Sequence, residues 1–318
     1  MEDKLLIRDR YRGFGIFDKV ELRGIMPDNS FYIRPVSPGL EEREYDGNLL
    51  LKTDLERLLI LNITGMENYI AGVVQTEGGE GNLPEYYKTQ AIICRTYTFG
   101  HIQRHEGEGF NLCDGVHCQA YKGRCSHESI IYSGTIQTSD LVIIDQDSTL
   151  ITAAFHSNCG GMTASSKSVW LSDKPYLQPV RDPFCTNHKN SIWQFKISLD
   201  DWLNYLIRNG VAGERINSRE LSFRQDVRKE YYIVSGVKIP FSKIREDWNL
   251  RSSFFDIGIS GTEVILEGRG YGHGVGLCQE GAMEMAQSGK NYNTIITFYY
   301  RGVSVVEYST LGNLSGER

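Results

Sequence analysis

The sequence predicts an α+β fold, and three observations carry that prediction. Short β-prone runs and amphipathic helical stretches are mixed along the chain, without the regular alternation of a doubly wound parallel sheet. No internal repeat recurs that would build a solenoid or propeller. With 318 residues, 40% of them hydrophobic, the chain can bury the core of one large domain or two ordinary ones.

The elements follow in order. Positions 4–7, 19–22, 31–33 and 48–51 are short β-prone runs, several bounded by Gly, Pro, Asn or Asp, while 55–64 suits strand or helix. Met66, Ile70, Val73 and Val74 recur at helical spacing, and Gly78-Gly79 stops that helix. Pro84 opens a second helix at its first position, where a missing N–H costs nothing. Tyr87, Ala91, Cys94, Thr98 and Ile102 form its stripe, to about Arg104. An irregular loop dense in Cys and His spans 106–126, followed by a short helix near 128–135. Positions 141–144 and 151–155 predict a hairpin around Asp145–Thr149. Polar loops fill 156–189, and a strand at 192–197 leads to Ser198, a good N-cap for a helix over 199–208. A small helix over 242–249, a strand at 264–267, a glycine loop over 268–276 and a helix over 277–288 ended by Gly289 come next. A last helix at 292–300 and a strand at 304–308 complete the reading.

Composition narrows the function classes. A net charge of −6 with 23% charged residues leaves no basic footprint for nucleic acid. The 18 tyrosines suit sugar ligands, because a phenol ring offers an apolar face and a hydroxyl, although tyrosines also fill ordinary cores. No segment approaches the roughly 20 apolar residues of a membrane span, and no charged-then-apolar leader is visible at Met1. A soluble chain is expected.

Four motifs carry candidate chemistry. Glu77 falls at the carboxyl-terminal end of the first helix, where the macrodipole and partial burial would favour the neutral acid. That makes it a candidate general acid, the plain alternative being a solvated helix-end glutamate. Glu80 and Glu85 lie nearby, but one is in the loop and the other in a helix's first turn, where ionisation is favoured. Cys113, His117 and Cys118 form a metal-ligand pattern on a short loop, with His105 first choice as fourth ligand and Cys125, His127 or His101 as alternatives. Zinc would fix such a loop; a disulfide or free thiols are the other readings. Gly268–Gly276, with His273 at its centre, lacks the ribose-binding acid and the Lys-Ser/Thr that a nucleotide site needs. Its glycines are expected to let backbone approach a ligand or turn sharply, with His273 facing the ligand or bonded to the loop. Cys159 and Cys185 are candidates for a bridge, and Cys94 and Cys278 for small buried hydrophobes.

Taken together, Tyr69–Glu77, Lys88–Tyr97, Cys113–Gly123, Phe155–Gly161 with Val169-Trp170 and Pro175–Leu177, and Gly270–Gly281 resemble the family of stage II sporulation protein D and the LytB-type amidase enhancers. The resemblance covers about residues 45–308. It implies two mixed helix/strand lobes flanking a substrate groove: a β-rich segment over 1–44, a catalytic core with the Cys/His loop over 45–190, and a second lobe over 191–318. Members studied as enzymes are lytic transglycosylases that cleave peptidoglycan glycan strands with a glutamate at the position of Glu77, and some relatives carry zinc in the matching loop. Where the family usually has Met-Pro after that glutamate, this chain has Gly78-Gly79. The resemblance further implies strand contacts from Lys88, Gln90, Arg95 and Tyr97, and from His156, Ser157, Tyr271, His273 and Gln279.

A single acid suffices for that reaction. Hydrolytic glycosidases need two carboxylates, but a transglycosylase uses the muramic C6 hydroxyl already on the substrate, so one residue serves as acid and then as base. The competing expectation is a non-catalytic amidase enhancer that binds peptidoglycan and an N-acetylmuramoyl-alanine amidase. Either reading places the protein in the cell envelope, outside the cytoplasm.

Overall fold

Arg95 is fully buried in the middle of a helix, and the fold around it shows why. The computed structural model describes residues 4–9, 11–26, 28–54, 57–170, 172–216 and 220–314. The chain divides into two units, Met1–Leu141 and Val142–Arg318.

The first unit begins with strands β1 (Leu5–Arg8), β2 (Gly13–Phe17), β3 (Lys19–Leu22), β4 (Ser30–Ile33), β5 (Arg43–Asp46), β6 (Asn48–Asp54) and β7 (Arg57–Ile63). They pair antiparallel as β1-β2, β4-β5 and a sheet of order β3-β6-β7. The ambiguous stretch at 55–64 is therefore strand from Arg57 on, positions 55 and 56 lying outside the described residues.

Helices α1 (Met66–Gly78), α2 (Pro84–His101) and α3 (Ile130–Gln137) pack together after the strands. Pro84 opens α2 as predicted, and Gly79 ends α1 at φ 67, in a region glycine enters without a Cβ penalty. Ile70, Val73 and Val74 of α1 and Tyr87, Ala91 and Cys94 of α2 are fully buried. Each large aliphatic side chain so placed contributes about 1.5–3 kcal/mol. The Arg95 guanidinium crosses this core, paired with the Glu67 carboxylate of α1 and donating to the carbonyls of Thr135 (3.2 Å) and Leu141 (3.1 Å). Helix α2 stops at His101 and not near Arg104, giving way to turns in which Arg104 N–H donates to the His101 carbonyl at 2.9 Å.

The second unit contains, in order, β8 (Leu141–Ile144, which starts at the boundary), β9 (Phe155–His156), α4 (Ser166–Trp170), β10 (Ile192–Ser198), α5 (Leu199–Arg208), β11 (Tyr231–Val234), β12 (Val237–Pro240), α6 (Phe241–Asp247), β13 (Phe255–Ser260), β14 (Glu263–Arg269), β15 (Leu277–Cys278), α7 (Gln279–Gln287), α8 (Tyr292–Tyr299), β16 (Ser304–Glu307) and α9 (Tyr308–Leu314). The antiparallel sheet β10-β14-β13 packs with α5, α6 and the β11-β12 hairpin around Trp202, Tyr232, Phe241 and Phe255. The Ser198 hydroxyl caps α5 by accepting from Asp201 N–H at 3.1 Å, as its position predicts.

Two local expectations are corrected here. The turn at Asp145–Thr149 forms and opens the hairpin, with Ile144 bridged antiparallel to Leu150 and Ile151 N–H donating to the Ile143 carbonyl at 3.1 Å, but the pairing stops before Phe155. Strand β8 pairs with β16, while Phe155–His156 lies parallel to Leu277–Cys278. Because Leu277 and Cys278 are extended in that pairing, α7 starts at Gln279 and not at Leu277. The mixed architecture is the α+β class the sequence predicts. Among the described residues, no helix is long and apolar enough to cross a membrane.

Candidate functional site

Glu77 is the penultimate residue of α1, half-buried, and its Oε1 accepts the backbone N–H of Ala120 at 2.9 Å. The donor lies just past the Cys/His loop, so the conformation of that loop sets where this carboxylate points. An open cleft of about 750 Å³ lies in the same unit, lined by Gln75, Glu80, Gly81, Tyr87 and Arg124 among others; Glu77 lies outside its lining.

The loop gathers His105, Cys113, His117 and Cys118 with their ligand atoms all within 4.8 Å of one another. Cys118 Sγ is 3.4 Å from His105 Nε2 and 3.9 Å from His117 Nδ1, and Cys113 Sγ is 3.8 Å from His117 Nδ1. In a tetrahedral zinc site with two sulfurs and two nitrogens, these separations would be about 3.3–3.8 Å, so the donor set fits the ion. His105 turns its other nitrogen, Nδ1, to the Glu108 carboxylate at 2.5 Å, the outer partner that fixes a ligating imidazole. That carboxylate raises the proton affinity of His105, ahead of the opposing effect of burial. Burial works to raise the Cys113 thiol, but hydrogen bonding around Gly115, His117 and Cys118 outweighs it and brings the thiol down to about 7. The other fourth-ligand candidates are engaged elsewhere: His101 with the Tyr97 carbonyl, Cys125 with Ser129, and His127 with Asp46.

In the second unit the glycine loop folds back on its own chain. Gly270 sits at φ 82 and Gly276 at φ 73, and a Cβ there would come within 2.5 Å of the Asn158 carbonyl and 2.1 Å of the Ala154 carbonyl. The close approach that these glycines permit is therefore to residues 154–160. Val275 between them holds two imidazoles, its carbonyl accepting from His156 Nδ1 at 3.1 Å and its N–H donating to His273 Nδ1 at 3.0 Å. Burial, reinforced for His156 by His273, pushes His156 well below its ordinary value and His273 down to about 4. Both rings are neutral at pH 7. His156 Nε2 is buried without a hydrogen-bond partner among the described residues. The ring of Trp170, 41% exposed, lies 5.2 Å from that of His273, and Tyr271 is 46% exposed beside them.

With this geometry in view, the comparisons with known proteins say what the chain resembles. The family described as SpoIID, stage II sporulation protein, matches residues 55–144, the segment that holds Glu77 and the Cys/His loop. The stage II sporulation protein D of Bacillus amyloliquefaciens is 27% identical over 258 residues, covering 76% of this chain and 74% of that protein. An amidase enhancer of Bacillus subtilis is 24% identical over 292 residues, covering 75% of this chain but 40% of its own length. Residues 55–144 therefore match the SpoIID family, and the chain as a whole is similar to proteins named stage II sporulation protein D and amidase enhancer. A further relative, an uncharacterized protein of Brachyspira hyodysenteriae, is 29% identical over 271 residues, 84% of this chain and 73% of that protein.

Not every residue singled out on SpoIID/LytB grounds reaches a surface. Gln90 and Arg95 are fully buried, the first with Nε2 3.6 Å from Cys94 Sγ and the second in its ion pair with Glu67. This corrects the expectation of strand contacts at both positions: their polar groups are spent on holding α2 in place. Gln279, at the start of α7, is only 7% exposed. Lys88 is paired with Glu85 at 2.8 Å, and Tyr97 stacks on His101 with ring centroids 4.1 Å apart. Ser157 is half-buried between His156 and Asn158.

One cluster was seen only in part by the sequence reading. Cys159, Asp182, Cys185 and Cys278 are all fully buried, with ligand atoms within 4.8 Å of one another. Cys159 and Cys185 come together as expected but are not bridged, their sulfurs being 3.4 Å apart. Cys278 joins them from 119 positions away, its sulfur accepting the Cys159 N–H at 3.3 Å. Its neighbours in sequence gave it the look of a helical hydrophobe, and nothing local marked Asp182.

Proposed function

We propose that the protein is a lytic transglycosylase that cleaves peptidoglycan glycan strands and leaves 1,6-anhydro-muramic ends. The observation that carries this reading is Glu77 at the end of α1, its carboxylate partly exposed and held through Oε1 by the Ala120 amide. In the proposed reaction the Glu77 carboxylic acid protonates the glycosidic oxygen leaving muramic acid. The C6 hydroxyl of the same sugar attacks the anomeric carbon, and the Glu77 carboxylate accepts its proton, closing the cycle without water.

The strand-binding role is kept for Lys88, Tyr97, Ser157, Tyr271 and His273, with exposed Trp170 as a platform for a sugar face; His156, 4% exposed, is withdrawn from direct strand contact and backs His273 from inside. A neutral imidazole suits this task, since it donates or accepts a hydrogen bond without adding charge. A groove for the strand is part of the same proposal. His105, Cys113, His117 and Cys118 would hold a zinc ion, which when bound cross-links the loop. Acting on peptidoglycan, the protein would work outside the cytoplasm.

A second reading rests on the amidase enhancer among the relatives: a binding module for peptidoglycan and an amidase, without turnover. One experiment separates the two. Intact and peptide-denuded sacculi are incubated with wild type and Glu77→Gln, and products are analysed by mass spectrometry for anhydro-muropeptides. Release by wild type alone supports the transglycosylase. No release by either, with binding to glycan or an amidase retained, puts the enhancer reading in its place.

A further inference from the structure

We infer that Cys159, Asp182, Cys185 and Cys278 form a second zinc site, a closed structural clasp in the second unit. The inference is independent of the role given to Glu77. Three sulfurs and a carboxylate oxygen, all from fully buried residues, converge within 4.8 Å. Cys159 Sγ lies 3.4 Å from Cys185 Sγ and 3.3 Å from Asp182 Oδ2, close to the spacing of about 3.3–3.8 Å around a tetrahedral zinc ion. Soft thiolates in a fourfold set without an open position select zinc in a structural role.

The surroundings suit a ligand set. Asp182 Oδ2 accepts from the Tyr299 hydroxyl at 2.9 Å and Oδ1 from Phe184 N–H at 2.9 Å, contacts that orient a ligating carboxylate. Three thiolates and a carboxylate exceed the charge of one divalent ion, and Arg228 supplies a neighbouring cation, donating to the carbonyls of Cys159 at 2.8 Å and Met162 at 2.6 Å. A Cys159–Cys185 disulfide, the competing explanation, would leave the buried Cys278 thiol and the Asp182 Oδ2 at the same point outside the bridge. The clasp would tie together three segments that short backbone pairings already bring side by side. Cys159 adjoins Asn158, whose backbone pairs with Tyr271; Cys278 closes β15 against β9; Asp182 and Cys185 bring in the loop between them. It would thereby fix the backbone that carries His156 and His273.

Metal analysis with thiol counting tests this directly. Protein purified without added metal should hold about two zinc equivalents, Cys118→Ser about one, Cys278→Ser about one, and the double variant none. Denatured without reductant, wild type should titrate all seven cysteines as thiols. Should Cys278→Ser not fold, Asp182→Asn keeps shape and sulfurs and should release one zinc to a chelator about 10-fold or more faster than wild type. A wild type with a single zinc that Cys118→Ser abolishes, or with Cys159 and Cys185 oxidised to a bridge, overturns the inference. So do unchanged zinc contents in Cys278→Ser and unchanged release in Asp182→Asn.

Discussion

The Ala120 N–H donates to Glu77 Oε1 across 2.9 Å, so the carboxylate at the end of α1 takes its orientation from the chain just beyond the Cys/His loop. Gln at position 77 would retain a carbonyl acceptor for this amide while losing the transferable proton. Glu77→Gln is therefore expected to fold and melt like wild type, to bind glycan, and to lose about 10²–10⁴ in the rate of anhydro-muropeptide release. A rate near that of wild type would rule out Glu77 as the acid–base group.

The same contact would couple the Cys/His loop to the proposed reaction. Cys118→Ser should lose the zinc of this site and open the loop between His105 and Cys118 to limited proteolysis. Because Ala120 then no longer holds Glu77, the rate should fall at least about 10-fold with Glu77 itself intact, as a misplaced catalytic group can cost about 10². Full zinc content and an uncut loop in this variant would refute the ligand assignment.

Arg95 is expected to matter for stability and not for glycan affinity. It is fully buried, while Glu67 keeps 24% of its side-chain surface exposed, so removing the guanidinium leaves a carboxylate that water compensates in part. Arg95→Met should cost about 1.5–3 kcal/mol in urea unfolding, and Arg95→Lys should not restore it, since an ammonium cannot reproduce the two-nitrogen contact with Glu67. A loss of glycan binding at full stability would contradict this assignment.

The His156–His273 pair predicts acid sensitivity. His273 is held near 4 in the fold, chiefly by burial, against about 6.5 when unfolded, so only the unfolded chain takes up its proton between those values. Stability is complete above about pH 6.5 and lost as pH falls towards 4, by on the order of 2–3 kcal/mol from this ring. Urea titrations at pH 7 and pH 4.5 should show a smaller difference for His273→Gln than for wild type. Protonation of metal ligands contributes to both proteins and cancels in that comparison. Equal slopes would sink the prediction.

Much of this was legible in local pattern. Pro84 and Gly78-Gly79 set the limits of two helices, Ser198 capped a third, and the spacing of Cys113, His117 and Cys118 named three members of a metal-ligand set, because short-range sterics and hydrogen bonds act within a few residues. Glu77 could be placed at a helix end for the same reason.

What local pattern could not decide is where partners come from. The resemblance implied strand contacts from Gln90 and Arg95, and only the packing of α1 and α3 against α2 shows them turned inward. Strand β9 passed over its nearby hairpin partner for β15, a pairing whose enthalpy depends on a segment far along the chain. Cys159, Cys185 and Cys278 read as a bridge and a spare hydrophobe, and became a four-ligand cluster with Asp182 only when that pairing closed the loop. Contacts between distant segments are paid for by loop-closure entropy and recovered by the fold as a whole, so no single window of sequence contains them.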